Sequence, residues 1–143
     1  MKKKLSKFKL LLFSLVSGLL FALAWPEIGG LDSLIFLAFV PLLYLEHLIS
    51  KKEGLTGITV FLYSYVSFLL FNLLTTYWIY YASDWGAVMA IVCNSAFMSI
   101  VFWMFHITKK KVGQKEGYIG LIIFWLAFEY LHLNWELSWP WLP

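Results

Sequence analysis

The sequence contains no arginine, one cysteine and few charged residues of any kind. Charged residues make up 13% of the chain, whereas soluble domains contain about a quarter. Because 62% of the residues are hydrophobic, this composition excludes an ordinary soluble domain. The single cysteine, Cys93, also excludes an internal disulfide.

The hydrophobic residues occur in long runs of about 17 to 23 residues, and a helix needs about 20 residues to cross a bilayer. The runs show no alternation of apolar and polar positions, which excludes a transmembrane β-barrel. Within lipid, the remaining structure that satisfies its own backbone is the helix. The sequence therefore predicts an all-α integral membrane protein, with a single transmembrane domain over residues 1–143. The predicted helices are residues 8–24, 31–49, 57–80, 86–108 and 117–133.

The first apolar run could instead be a secretory signal peptide, because lysines precede it and Ala22-Leu23-Ala24 resembles a cleavage site. However, Trp25 and Pro26 follow at once, and proline is unfavourable just after a cleavage site. An uncleaved first helix is therefore favoured. Small residues four apart on this helix would let a neighbouring helix approach closely. They are Ser14, Gly18 and Ala22.

The lysines are confined to every second connection between the runs, where the short segments 1–9, 50–56 and 109–116 hold all eleven. The alternate segments 25–30, 81–86 and 134–143 hold none. Short loops rich in lysine stay on the cytoplasmic side. This pattern predicts a cytoplasmic N-terminus and a periplasmic C-terminus. Since topology explains the lysines, nucleic-acid binding is not predicted.

Two asparagines within the spans, Asn72 and Asn94, are predicted at the same depth on antiparallel helices, where they could share a hydrogen bond. A structural contact between helices is the preferred interpretation, and lining of a lipid cavity is the alternative. Glu46 and His106 fall near the predicted cytoplasmic ends of their helices. Both are expected at the membrane interface. Asp32 is expected to cap the second helix.

Glu129 and His132 are three residues apart and share one face of the last helix. The preferred interpretation is an interfacial carboxylate bonded to a neighbouring helix; contact with substrate and orientation of the following loop are alternatives. Cys93 is expected to be a packing residue. No catalytic triad, metal-ligand spacing or phosphate-binding loop is present, so no catalytic residue, metal or cofactor is predicted.

Four stretches, taken in order, carry a family resemblance: S-G-L-L-F-A-L-A-W-P at 17–26, L-A-F-V-P-L-L at 37–43, Y-W-I-Y-Y-A-S-D-W-G at 77–86, and W-L-A-F-E-Y-L-H at 125–132 with S-W-P-W-L at 138–142. Together they resemble the N-terminal membrane region of bacterial apolipoprotein N-acyltransferase. The resemblance extends over essentially the whole chain.

The sequence departs from the family pattern in two ways, and each limits which family properties can be expected of this chain. His132 stands where the family usually has arginine, so a permanent cation is replaced by a titratable one. The family also continues into a periplasmic nitrilase-like domain with a Glu-Lys-Cys triad, and none of the three matches a position here. The catalytic domain is therefore expected to be absent, and the chain to be inactive alone.

The resemblance implies a multi-pass protein of the bacterial inner membrane that takes part in acyl transfer. The full-length family transfers an acyl chain from a phospholipid, through a cysteine thioester, to the N-terminal diacylglyceryl-cysteine of lipoproteins. The implied partners are membrane phospholipid, the lipoprotein substrate and a separately encoded nitrilase-like domain. The candidate residues for contact with lipid or substrate, or for polar contacts in the bundle, are Glu129, His132, Trp139, Trp141, Trp78 and Asn72, with Trp85 also expected near the lipid.

Two other functions compete with this one. The first is a non-catalytic small membrane module that binds lipid or a partner subunit. The second is a small transporter, which is disfavoured because the helix count is odd and no charge lies near the midplane.

Overall fold

A computed structural model describes residues 6–52 and 54–134, and this part of the chain folds into a bundle of helices. Five α-helices and one short 3-10 helix follow each other along it, which confirms the predicted all-α fold. They are α1 (Lys7–Ala24), α2 (Leu34–Ser50), α3 (Gly57–Thr76), the 3-10 helix Tyr77–Tyr81, α4 (Asp84–Lys111) and α5 (Gln114–Asn134).

Four of the segments are long and apolar enough to cross a membrane: α1, α3 with its 3-10 extension, α4 and α5. The second helix has 17 residues, which at 1.5 Å per residue extends about 26 Å. It is shorter than the predicted helix over residues 31–49. It continues without interruption through Pro41. These helices make the chain a multi-pass membrane protein.

Several predicted helix ends differ from those in the structure, and two of the differences have identifiable reasons. Asp32 does not cap α2, because the helix begins at Leu34 and the capping position falls on Ser33, which makes no side-chain cap bond. The fourth helix begins earlier than predicted, at Asp84, because the Ser83 hydroxyl accepts a hydrogen bond from the Gly86 amide at 3.1 Å. Serine at this position satisfies a backbone donor that the helix itself cannot.

The helices run up and down, and each packs on its neighbours: α1 on α2 and α3, α3 on α4, and α4 on α5. We call the bundle end where α1, α3 and α5 finish the distal end, and the opposite end the lysine end. α1 and α3 approach each other closely, because a Cβ atom added to Gly18 would lie 2.5 Å from the Ser67 carbonyl oxygen. The small residue predicted for close packing thus lies at a helix contact.

A buried ionic cluster at the lysine end joins α2 to α4. The side chain of Glu46 is fully buried, and its Oε1 lies 2.8 Å from His106 Nδ1. Lys109 forms an ion pair with Glu46 Oε2, and the Ser50 hydroxyl donates to Glu46 Oε1. The Lys109 ammonium also lies 5.5 Å from the centre of the Tyr118 ring, which brings α5 into the cluster.

The cluster corrects the expectation that Glu46 and His106 lie at the membrane interface. Both are buried, Glu46 at 0% and His106 at 3% exposure. The sequence placed each of them near a helix end, where long polar side chains commonly reach water. It could not show that the two ends face each other across the bundle.

Replacing Glu46 by glutamine should destabilise the bundle by about 3 kcal/mol, because it leaves the Lys109 ammonium buried without its carboxylate. The measurement is unfolding of the detergent-solubilised protein, followed by tryptophan fluorescence. The neighbouring and partly exposed His47 provides the control, since His47→Gln removes no contact of the cluster. Equal stability of Glu46→Gln and His47→Gln would contradict the assigned role.

Candidate functional site

A cavity of about 270 Å³ lies in the distal half of the bundle, and all five α-helices or their ends contribute to it. Its walls are mainly apolar and aromatic. Its lining residues are Phe21, Ala24, Trp25, Ile35, Phe39, Phe71, Asn94, Met98, Trp125, Phe128, Glu129, His132 and Leu133. The volume is near the lower end of the range for small-molecule cavities, so it suits part of a lipid rather than a whole one.

Two of the lining residues, Ile35 near the start of α2 and Leu133 near the end of α5, are 40% and 51% exposed. Their exposure indicates that the cavity opens at the distal end, between α2 and α5. Glu129 and His132 lie five and two residues before the end of α5, so they lie close to this opening. An apolar chain could therefore enter from the membrane past a carboxylate and an imidazole.

Trp125 connects α5 to the helices on the far side of the cavity. Its ring centre is 5.0 Å from that of Phe39 on α2 and 5.7 Å from that of Phe68 on α3, in edge and tilted contacts. The indole Nε1 of Trp125 donates a hydrogen bond to Glu129 Oε1 at 3.0 Å. The residue thus packs the wall of the cavity and holds the Glu129 carboxylate in place.

The hydrogen bond on Glu129 corrects its preferred interpretation. The carboxylate was expected to bond a neighbouring helix, whereas its donor, Trp125, lies one turn earlier on the same helix. Residues four apart on a helix are neighbours, so the spacing of Trp125 and Glu129 contained this signal. The shared face of Glu129 and His132 is confirmed, because both line the cavity.

A buried amide network forms the side of the cavity on α3 and α4. Asn94 Nδ2 donates to Asn72 Oδ1 at 2.9 Å, which confirms the predicted contact between the two asparagines. Asn72 Nδ2 in turn donates to the Phe68 carbonyl oxygen at 2.8 Å and to the Ser95 hydroxyl at 3.1 Å. Asn94 belongs to the cavity lining, and Asn72 lies behind it.

Two further candidate residues within the described part of the chain are not brought to the cavity. Trp78 and Trp85 are exposed at the distal end, and neither belongs to the lining. Trp139 and Trp141 lie outside the described residues. The aromatic wall of the cavity was not predicted, because Phe39, Phe71 and Phe128 lie in apolar helices where no pattern separates them from the other hydrophobic residues.

Comparisons with known proteins agree with the resemblance. The family described as the apolipoprotein N-acyltransferase N-terminal domain matches residues 17–143. A curated apolipoprotein N-acyltransferase from Chlorobaculum tepidum is 30% identical over 132 residues, which cover 90% of this chain and 24% of the relative. The chain therefore spans about a quarter of that relative's length. No solved structure matches the chain. The chain belongs to the apolipoprotein N-acyltransferase N-terminal domain family.

A double-mutant cycle on Asn72→Leu and Asn94→Leu should give a coupling free energy of about 0.6 kcal/mol, the average for hydrogen bonds between membrane helices. Each single variant should also be less stable than the unsubstituted chain, because it leaves a buried polar group without its partner. Denaturant unfolding in mixed micelles measures the cycle. Strictly additive effects would show that the two amides do not interact.

Proposed function

We propose that this chain, as a member of the apolipoprotein N-acyltransferase N-terminal domain family, forms the membrane-embedded part of an enzyme that transfers an acyl chain to lipoproteins. The observation that carries the proposal is the apolar cavity at the distal end, with Glu129 and His132 beside its opening. In this proposal the chain receives and orients lipid, while a nitrilase-like domain supplies the covalent chemistry.

The distal end is assigned to the periplasmic side of a bacterial inner membrane. The lysine end holds Lys51 and Lys52 in one connection and Lys109 to Lys111 in the last turn of α4, whereas the distal connections between α1 and α2 and between α3 and α4 hold no lysine. Short lysine-rich loops are retained in the cytoplasm. The cavity would then open toward the outer leaflet, on the same side as a periplasmic catalytic domain.

The walls of the cavity support lipid as the ligand. The aromatic rings around it contact one another at centroid distances of 4.8 to 6.4 Å, from the Phe21–Phe39 pair to the Trp125–Phe128 pair. They form an apolar surface that a hydrocarbon chain can contact without any desolvation penalty. Ile35 and Leu133 are exposed, so a hydrocarbon chain could enter the cavity sideways from the bilayer between them. The lipid would not have to pass through water.

The polar groups near the opening favour a ligand whose charged or polar end stays at the membrane surface. Glu129 is half-buried and its Oε1 is oriented by Trp125. His132 is buried, and its ring packs against Phe128 with centres 5.4 Å apart. A carboxylate and an imidazole beside an apolar slot can position an amphiphile with its chain inside and its polar end outside.

Reporter fusions should give a fixed topology pattern. Alkaline phosphatase fused in the connections near residues 30 and 83 should be active, and green fluorescent protein fused near residues 54 and 113 should be fluorescent, because the lysine loops stay in the cytoplasm. Changing the exposed Lys110, Lys111 and Lys115 to glutamine should weaken this bias at the last connection without touching the Glu46 ion pair. The opposite fusion pattern would contradict the assignment of the distal end.

A chimera tests the role in acyl transfer. This chain would replace the matching N-terminal segment of the Chlorobaculum tepidum relative, in a strain depleted of its own acyltransferase. Mass spectrometry of a lipoprotein N-terminus should show restored N-acylation. Filling the cavity with Ala24→Trp should lower the N-acylated fraction at least tenfold, because the indole occupies the volume meant for lipid.

The control is Leu23→Trp, which adds the same side chain one residue earlier, on an exposed position outside the cavity lining. It should leave N-acylation unchanged. Equal activity of the two variants would contradict a lipid role for the cavity. Restoration by the unfused chain alone would contradict the assignment of the chemistry to another domain. A chimera that folds and inserts but never acylates would instead favour a lipid-binding module without chemistry.

A further inference from the structure

Four aromatic side chains from four different helices meet on the side of the cavity that faces the lysine end. Phe21 of α1 contacts Phe39 of α2, and Phe39 contacts Trp125 of α5, with ring centres 4.8 Å and 5.0 Å apart. Trp125 contacts Phe68 of α3, and Phe68 contacts Phe21, with ring centres 5.7 Å apart in both pairs. The contacts form a closed circle of four rings, which we call the aromatic floor.

The aromatic floor coincides with the deepest level of the cavity. On α1, α2 and α5, the lining residues farthest from the distal end are Phe21, Phe39 and Trp125. Phe68 is fully buried and does not belong to the lining, so it completes the circle from behind. Trp125 is nine residues before Asn134, the distal end of α5, which places the floor about 14 Å from that end at 1.5 Å per residue.

Packed side chains fill the bundle one turn beyond the floor, toward the lysine end. At this level lie Leu42 of α2, Phe102 of α4 and Leu121 of α5. Leu42 and Phe102 are fully buried members of the main hydrophobic core, and Leu121 packs against that core. None of these three residues lines the cavity. A close-packed core has no room for a hydrocarbon chain, so the cavity ends at the floor.

The contacts between the rings hold the floor in place. Phe39 meets Phe21 and Trp125 edge to face, with angles of 89° and 85° between the ring planes. Aromatic pairs in this arrangement are more stable than their buried area alone would give. Each ring of the floor contacts two others, so moving one ring aside to admit a hydrocarbon chain would break two contacts. The Trp125 indole is held further by its hydrogen bond to Glu129.

We infer that the aromatic floor limits how deeply a hydrocarbon chain enters the cavity, and that Phe39 and Trp125 thereby determine which chain lengths the cavity selects. The inference rests on the proposed function, since it specifies which lipids the same cavity takes. A hydrocarbon chain that is too long meets the floor before its polar end reaches the opening beside Glu129 and His132. One that is too short leaves part of the cavity empty when its polar end is at the opening.

Photolabelling of the unsubstituted protein locates the end of a bound hydrocarbon chain. The probes are octyl, dodecyl and hexadecyl phosphocholine, each with a diazirine at the chain end, added to the protein in phosphatidylcholine nanodiscs. Peptide mass spectrometry after illumination identifies the labelled residues. The dodecyl probe, whose extended length is close to the depth of the cavity, should label Phe39, Met98 or Trp125 more strongly than the other two probes. No probe should label Leu42 or Phe102.

A matched pair of variants tests the floor itself. Phe39→Ala removes one ring of the floor, whereas Phe128→Ala removes one ring from the wall of the cavity nearer the opening. In Phe39→Ala the hexadecyl probe should label Leu42 about fivefold or more above the unsubstituted protein, because forcing a chain into a packed core is no longer required. Phe128→Ala widens the cavity without deepening it, so labelling of Leu42 should not change. Thermal unfolding in the same nanodiscs checks that both variants are folded, and the milder Phe39→Leu replaces an alanine variant that does not fold.

Four outcomes would overturn the inference or its premise. Labelling of Leu42 or Phe102 in the unsubstituted protein would show that the floor does not stop a hydrocarbon chain. Equal labelling of the floor by all three probes would overturn the selection by length. A similar gain at Leu42 in Phe39→Ala and Phe128→Ala would assign the gain to general loosening of the bundle. Failure of every probe to label any lining residue would overturn the lipid role of the cavity, and with it that part of the proposed function.

Discussion

Lipid offers no hydrogen bonds, so every polar group inside this bundle must find its partner within the protein. Within residues 6–52 and 54–134, Ser17 of α1 donates to the Ala38 carbonyl oxygen of α2, Asn72 on α3 bonds Asn94, and Glu46 on α2 bonds His106 and Lys109. The partners of Asn72 and Glu46 lie on α4, which has 28 residues. The rest of the bundle is therefore arranged around α4, with one polar link near the distal end and one at the lysine end.

The position of the cavity follows from this arrangement. The fifth helix packs along α4 and reaches α2 and α3 mainly through Trp125. The Trp125 side chain fills the gap between α5 and the helices α2 and α3 at one level of the bundle. The space on the distal side of Trp125 remains open and forms the cavity. Asn94 both bonds Asn72 and lines the cavity, so the contact that holds α3 to α4 forms part of the cavity wall.

The hydrophobic runs predicted the helices. Residue spacing carries information about contacts within one helix and between helices joined by a short loop. The Asn72–Asn94 bond belongs to this second class, since a tight turn sets the two antiparallel helices in register. The Glu46–His106 contact does not, because 60 residues separate the two positions and nothing in either helix indicates the other. The aromatic wall of the cavity was not predicted either. Because 20% of the chain is aromatic, the sequence does not distinguish the phenylalanines that face the cavity from the others.

Most of the buried hydroxyl groups donate to a carbonyl oxygen of their own helix, as Ser14 does to Leu10 and Ser95 does to Ile91. These hydroxyl groups are already satisfied when their helix enters the bilayer alone. The second helix is different, because the Glu46 carboxylate depends on residues that are synthesised about 60 positions later. During biosynthesis the Glu46 carboxylate therefore has no ion-pair partner until α4 is inserted, so the burial of Glu46 depends on that step.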